Sequence, residues 1–250
     1  MLAPHQVSVS GVAVHGFTQS QLTDTVLQLA ASTSRHVLVG VNAHVCNLAR
    51  HDPHLRSFLN SALTYADGQS VVWSARLLGG HLPQRLATTD VARPILAAAA
   101  EAGHPVYFFG GAPGVAESAA ERLRRSIPGL MIRTHHGYVN EEQTSAVLDD
   151  MTRTGTRILF VGLGDPLQQR WVASHLDQLP PVIMTCGGLF DWYSGNHRRA
   201  PRWMIAAGLE WLWRLAIEPR RLAKRYLVGN PSFMLAVTRQ RLGLGSRGRR

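Results

Sequence analysis

The chain has 250 residues, 45% of them hydrophobic and 17% charged, with 23 glycines and 13 prolines. That composition excludes collagen-like and wholly disordered classes and describes a globular chain with a sizeable core. The net charge of +10 is uneven: residues 193–250 hold 13 basic and 2 acidic side chains, net +11, against 13 and 14, net −1, before them. A near-neutral body with a strongly basic C-terminal part calls for a polyanionic partner, whether nucleic acid, an acidic membrane surface or phosphate groups. Two cysteines, Cys46 and Cys186, are too few for a disulfide framework or a zinc site and read as cytosolic thiols. No run of 18 charge-free apolar residues is present, and the opening Met-Leu-Ala-Pro-His-Gln lacks a secretory signal's basic and apolar regions. Neither a spanning helix nor secretion by such a signal is expected.

Val7–Val9 and Val12–Val14 flank Ser10-Gly11 as a short hairpin. Thr18 caps a helical run carrying Leu22, Val26, Leu29 and Ala30. His36–Val41 reads as a buried strand, Asp52-Pro53 opens a helix running through Leu63, and Tyr65-Ala66 lead into the turn Asp67-Gly68. Helices follow at Ser70–Leu78 and Thr89–Ala102. Strand and helix then alternate: Val106–Phe109, Val115–Ser126, Met131–Thr134, Glu141–Thr154, Arg157–Val161, Pro166–Leu179 and Val182–Thr185. Short apolar strands separated by helices of this length predict an α/β fold, a doubly wound, Rossmann-like parallel sheet covered on both faces. The rhythm stops at Gly187. Residues 1–192 are expected to form the body and 193–242 a basic, helical appendage with helices at Trp203–Ile217, Arg220–Leu227 and Pro231–Leu242. The Gly/Ser/Arg-rich end, 243–250, reads as disordered.

Ligands of open parallel sheets bind beyond the carboxyl ends of the strands. Gly110-Gly111 and Gly162-Leu163-Gly164 lie there, each before a helix N-terminus, as phosphate or nucleotide contacts or as plain βα turns. Asp67 has the place of a general base at a strand end, or of an Asx-turn or helix cap. Asp90, following Arg85, suits a cap for its helix. Gln168 and Gln169 sit in the first turn after Pro166, where their amides suit a sugar or base edge or simple exposure. Twelve histidines show no metal-ligand spacing, and no metal site is expected. Arg214, Glu218, Arg221 and Arg225 recur on one helical face, with Trp211, Leu215, Leu222 and Tyr226 on the next. That pattern fits a helix at a membrane interface or one packed on the body, and Pro219 marks a new helix after a bend.

Ala66-Asp67-Gly68, Gly162-Leu163-Gly164-Asp165-Pro166-Leu167-Gln168, Gly187-Gly188-Leu189-Phe190-Asp191 and Arg199-Ala200-Pro201 occur in that order. Leu209-Glu210-Trp211-Leu212-Trp213-Arg214-Leu215 and Glu218-Pro219-Arg220-Arg221 complete a set that resembles the WecG/TagA/CpsF family of bacterial glycosyltransferases, from about Val37 to Tyr226. The resemblance implies inverting, metal-independent transfer from a UDP-sugar (N-acetylmannosamine, N-acetylmannosaminuronate or glucose type) to a polyprenyl-diphosphate-linked saccharide for cell-surface or exopolysaccharide synthesis. It implies no cofactor. Asp67 matches the family's proposed base, with Asn42 beside it and Arg85 and Gln168 lining the same pocket. Arg214 and Arg221 match arginines thought to bind the acceptor diphosphate, and Lys224 falls where a further arginine is usual, a place Arg225 can fill. The chain departs from the pattern at Gly40, where threonine is common, at Thr88, where glycine is usual, and at Leu167 and Gln169, where the usual charges are missing. Such an enzyme works at the cytoplasmic face of the membrane, whose anionic lipids attract the basic part. The alternative is a non-enzymatic, membrane-associated nucleotide-binding module. A nucleic-acid partner is not expected, because the base-stacking aromatics of an RNA motif are not arranged here.

Overall fold

The computed structural model describes residues 5–196, 200, 201, 203, 204 and 210–244, with the side chains of Glu210, Arg221 and Lys224 excepted. The cluster Arg198-Arg199, Leu209, the Arg221 and Lys224 side chains and the terminal segment 245–250 lie outside the described residues. The chain forms an eight-stranded sheet flanked by helices, with a helical C-terminal region. The strands are β1 (Gln6–Val9), β2 (Val12–His15), β3 (His36–Val41), β4 (Leu63–Ala66), β5 (Val106–Gly110), β6 (Ile132–His135), β7 (Ile158–Gly162) and β8 (Val182–Thr185). Their spatial order is β1-β2-β4-β3-β8-β7-β5-β6, and every pairing but β1–β2 is parallel. The antiparallel pair turns at Ser10 (φ 52°) and Gly11 (φ 80°), the two positive angles of a tight hairpin turn.

Alternation along the strands sorts the core into two faces. Leu38, Phe108, Phe160 and Met184 point to one, which is covered by α1 (Gln19–Ala30), α5 (Thr88–Glu101), α6 (Val115–Ser126) and the short α9 (Leu189–Tyr193). Val39, Phe109, Val161 and Ile183 point to the other. That face carries α2 (Ala43–His51), α3 (Pro53–Ser61), α4 (Gln69–Leu77), α7 (Glu141–Arg153) and α8 (Leu167–His175). Thr18 and Asn140 close capping boxes at the starts of α1 and α7, satisfying backbone donors that helix starts leave open.

One expectation is corrected, and two further helices appear. The helix opened by Asp52-Pro53 ends at Ser61, and Leu63 instead starts β4 opposite Leu38; its apolar side chain suits either element, and sheet pairing decides. A nine-residue helix, α2, directly follows β3, started by Asn42, whose Oδ1 accepts from the backbone N–H of His44 (3.0 Å) and Val45 (3.2 Å). Between Gly187 and Gly195 the chain forms α9.

Beyond the sheet lie α10 (Glu210–Ile217), α11 (Pro219–Ala223), a π-helical turn (Lys224–Val228) and α12 (Gly229–Arg241). Pro219 starts α11, as its missing N–H allows. The last helix is built into the body. Phe233 and Val237 are fully buried among Val9, Val12 and Cys46, and Gln240 bonds Ser8 O and Ser10 N, both at 2.8 Å. Asn47 Nδ2 and Arg50 Nη1 donate to the carbonyls of Gly229 (2.7 Å) and Ser232 (3.0 Å).

Candidate active site

Chain connections leave β3 toward β4, whereas β5 to β8 lie on its other side. The change of direction opens a crevice beyond the carboxyl ends of the strands, as in other open parallel sheets. A cavity of about 390 Å³ occupies it, lined by the residues that follow β3, β4 and β8 and roofed by the C-terminal segment.

Asp67 lies on the cavity floor. Its backbone N–H donates to Val41 O (2.9 Å), extending the β3–β4 pairing by one residue. Its Oδ1 accepts from Thr88 N (2.7 Å) and Thr88 Oγ1 (3.0 Å), and its Oδ2 from Asn42 Nδ2 (3.3 Å). The cap reading is therefore set aside: α4 begins at Gly68 with no side-chain cap, and the Asp67 carboxylate turns to the cavity wall. A Cβ on Gly68 would stand 3.0 Å from Asn42 Cβ, so glycine lets the two loops close on each other. Three donors on Asn42 Oδ1, from His44 N, Val45 N and Arg225 Nη2 (3.3 Å), fix its amide so that Nδ2 faces the carboxylate. Capping of α2 and orientation of Asp67 thus share one side chain.

Arg85 lines the same cavity, held there because Leu86 N donates to Ala66 O (2.7 Å) at the end of β4. Asp90 does not line it. It sits in the first turn of α5, where a carboxylate complements the helix dipole, and pairs with Arg85 Nη2 at 3.6 Å. Gln168 reaches the wall but is buried with both ends engaged, Nε2 on Asp165 Oδ1 (2.7 Å) and Oε1 on Gly187 N (3.1 Å). It is a strut between the turns after β7 and β8. Gln169, buried rather than exposed, also bonds Asp165 Oδ1 (2.6 Å).

Gly110, Gly111, Gly162 and Gly164 are not among the residues lining the cavity. Gly110 and Gly162 end β5 and β7 face to face. A Cβ on Gly110, at φ 139°, would run into Gly162 O, and one on Gly162 would stand 2.8 Å from Gly187 O and from Phe190 Cε2, so close approach of neighbouring backbone and side chains accounts for these two glycines.

From the C-terminal region, Arg214 and Arg225 enter the cavity. The Arg214 guanidinium lies 5.6 Å from the Trp192 ring centre, a cation–π distance, and its Nε is buried with no hydrogen-bond partner among the described residues. Trp211 and Tyr226, at 5.8 Å between ring centres, brace α10 against the π-helical turn. Residue-by-residue reading missed His44, Asp165, Trp73, Trp192, Asn230 and Met234 as cavity residues. Burial and the nearby Arg225 hold the His44 imidazole below its ordinary pKa, with Asp165 opposing them, so it enters neutral conditions uncharged. The signal for His44 was its place two residues after a helix cap at a strand end.

The cavity offers a carboxylate held by three donors, and the guanidinium groups of Arg85, Arg214 and Arg225 line it. That is equipment for deprotonating a hydroxyl while meeting an anion. The profile of the family described as "Glycosyl transferase WecG/TagA/CpsF family" matches residues 7–247. The chain is also 31% identical over 228 residues to an N-acetylglucosaminyldiphosphoundecaprenol N-acetyl-beta-D-mannosaminyltransferase of Bacillus spizizenii, covering 88% of this chain and 87% of that protein. With fold, cavity and sequence in agreement, the chain belongs to the WecG/TagA/CpsF family and is a glycosyltransferase.

Proposed function

We propose that the enzyme moves N-acetylmannosamine from its UDP conjugate to a polyprenyl-diphosphate-linked saccharide in one inverting displacement, with Asp67 as general base. The observation that carries this reading is the Asn42–Asp67–Thr88 cluster opening on a cavity that also holds Arg85, Arg214 and Arg225. The acceptor hydroxyl gives its proton to Asp67 as its oxygen bonds the anomeric carbon. The bond from that carbon to the UDP phosphate oxygen breaks, and its electron pair leaves with UDP. Guanidinium groups meet the charge developing on the diphosphate, so no metal ion is required. The Bacillus spizizenii relative is named for a β-linked product, which one displacement gives from an α-linked donor.

A polyprenyl acceptor stays in the bilayer, so the enzyme works as a peripheral protein at the cytoplasmic leaflet. Among the described residues no helix is long and apolar enough to cross a membrane. Trp73, Trp211 and Met234 are exposed at the cavity, and Trp203, Leu212, Leu227 and Leu235 are exposed in the C-terminal region. Exposed Trp and Leu beside a +11 segment suit an anionic surface, each basic group there contributing about 1 kcal/mol.

The test is turnover of UDP-N-acetylmannosamine with a short-chain polyprenyl-diphosphate N-acetylglucosamine. Asp67→Asn should keep its melting temperature and lose about 10²–10⁴-fold in turnover, and wild-type activity should survive EDTA. Unchanged turnover in folded Asp67→Asn removes the base, and an EDTA loss restored by magnesium removes metal independence.

A further inference from the structure

Behind Asp67, Gly40 and Thr88 meet across a space that a side chain from either position would enter. Gly40 lies in β3 opposite Tyr65 of β4. A Cβ on Gly40 would stand 2.9 Å from Thr88 Oγ1, 3.0 Å from Asp67 Cβ and 3.2 Å from Tyr65 Cε2. The Thr88 side chain therefore borders the space that a side chain at position 40 would enter. Thr88 is buried and Tyr65 wholly so, and the Tyr65 hydroxyl lies 2.8 Å from Thr88 Oγ1.

The direction of these bonds follows from their ends. An ionised carboxylate only accepts, so the Thr88 hydroxyl donates to Asp67 Oδ1; having one proton, it must accept from Tyr65. Burial, with the Asp67 charge, pushes the Tyr65 phenol far up its scale, and a neutral phenol is the donor this chain of bonds needs. Each bond polarises the next in a poorly solvated place.

We propose that Thr88 is the positioning residue for the Asp67 base, and that Gly40 and Thr88 form a reciprocal pair in which a hydroxyl beside Asp67 is supplied from position 88 or from position 40, not from both. This rests on the reading of Asp67 as base. Thr88 N and Oγ1 hold Oδ1, leaving Oδ2, with its single 3.3 Å bond from Asn42, to take the acceptor's proton. The backbone donor persists in every variant at position 88, so the hydroxyl can be removed by itself.

The experiment measures kcat, KM for UDP-N-acetylmannosamine, UDP binding and melting temperature for Thr88→Val, Thr88→Ser, Gly40→Thr and Gly40→Thr with Thr88→Gly. Thr88→Val keeps the shape and removes the donor; kcat should fall about 10- to 150-fold, the range for a hydrogen bond to a charged group, with KM and UDP affinity unchanged. Thr88→Ser should stay within about threefold of wild type, because the donor remains. Gly40→Thr alone should lose activity by crowding Thr88 and Asp67, and adding Thr88→Gly should recover at least about tenfold. Wild-type kcat in Thr88→Val, or a double variant no better than Gly40→Thr, overturns the proposal. Asp67→Asn run alongside separates the two readings: if it is fully active, the base assignment falls and this inference with it; if it is inactive while Thr88→Val is normal, only this inference falls.

Discussion

Asn42 holds two jobs in one side chain, and two substitutions pull them apart. Asn42→Ala removes the cap of α2 and the donor to Asp67. Loss of a cap costs about 1 kcal/mol of stability. Loss of a bond to a carboxylate, about 1.5–3 kcal/mol, lowers turnover about 10- to 150-fold if the bond persists in the transition state. Asn42→Asp keeps an acceptor for His44 N and Val45 N, and a carboxylate at a helix start is favourable. It also sets two carboxylates at the 3.3 Å spacing now bridged by Nδ2. At an effective dielectric of about 20 that repulsion is about 5 kcal/mol, lessened by partial exposure and by Arg225. A shared proton relieves it, and a shared proton disables the base. Asn42→Asp should therefore lose stability, because holding a carboxyl protonated at neutral pH costs up to about 4 kcal/mol against an unfolded pKa near about 3.9. It should also turn over at least about tenfold more slowly there, recovering activity as the pH rises and the proton is lost. Thermal melting and kcat across the neutral and alkaline range read both effects. Wild-type turnover by Asn42→Asp at neutral pH, or an Asn42→Ala protein that melts like wild type, refutes the reasoning.

Two further outcomes concern stability. Phe233, fully buried under α12, should cost about 3–5 kcal/mol as Phe233→Ala, or roughly 6–20 °C of melting temperature in a chain this size; Leu235→Ala on the exposed side is the control, and an unaltered melt in Phe233→Ala would mean that α12 detaches before the body unfolds. Burial first, then nearby arginines for His44 and His104, holds His15, His44 and His104 below their ordinary pKa. The unfolded chain then binds protons first as the pH falls below about 6.5, so stability is full above that value and drops between it and the folded values. A melting temperature that stays flat or rises from neutral pH to mildly acidic pH would contradict this.

The strand–helix rhythm was legible because buried parallel strands are short apolar runs, and β5, β7 and β8 read almost residue for residue. The place of Asp67 at a strand end was legible too, and the family motifs brought Asn42, Arg85 and Gln168 to it. Other features are decided by tertiary partners. Leu63 continues the apolar spacing of α3 and joins β4 only because β3 offers a pairing edge. Helix α2 hides behind His44, Asn47, Arg50 and His51, polar residues whose partners include the C-terminal segment. Gln168 and Gln169 are polar in sequence yet buried: Asp165 and Gly187 engage both ends of Gln168, and Asp165 accepts from the Gln169 amide. Gly110 and Gly162 look like ligand turns; that Gly110 is needed where β7 comes close to β5 is a fact about two strands 52 positions apart.

Arg225 and Asn42, joined across the cavity, stand 183 positions apart in the chain. At roughly 5–20 residues per second, the ribosome makes them about ten to forty seconds apart. For most of that interval Asn42 and Asp67 already exist, and the hairpin surface that will receive Phe233 and Gln240 has no occupant from its own chain. The roof arrives last and docks on the first strands made. A nascent chain therefore carries its carboxylate and Arg85 well before the two guanidinium groups of the roof, Arg214 and Arg225.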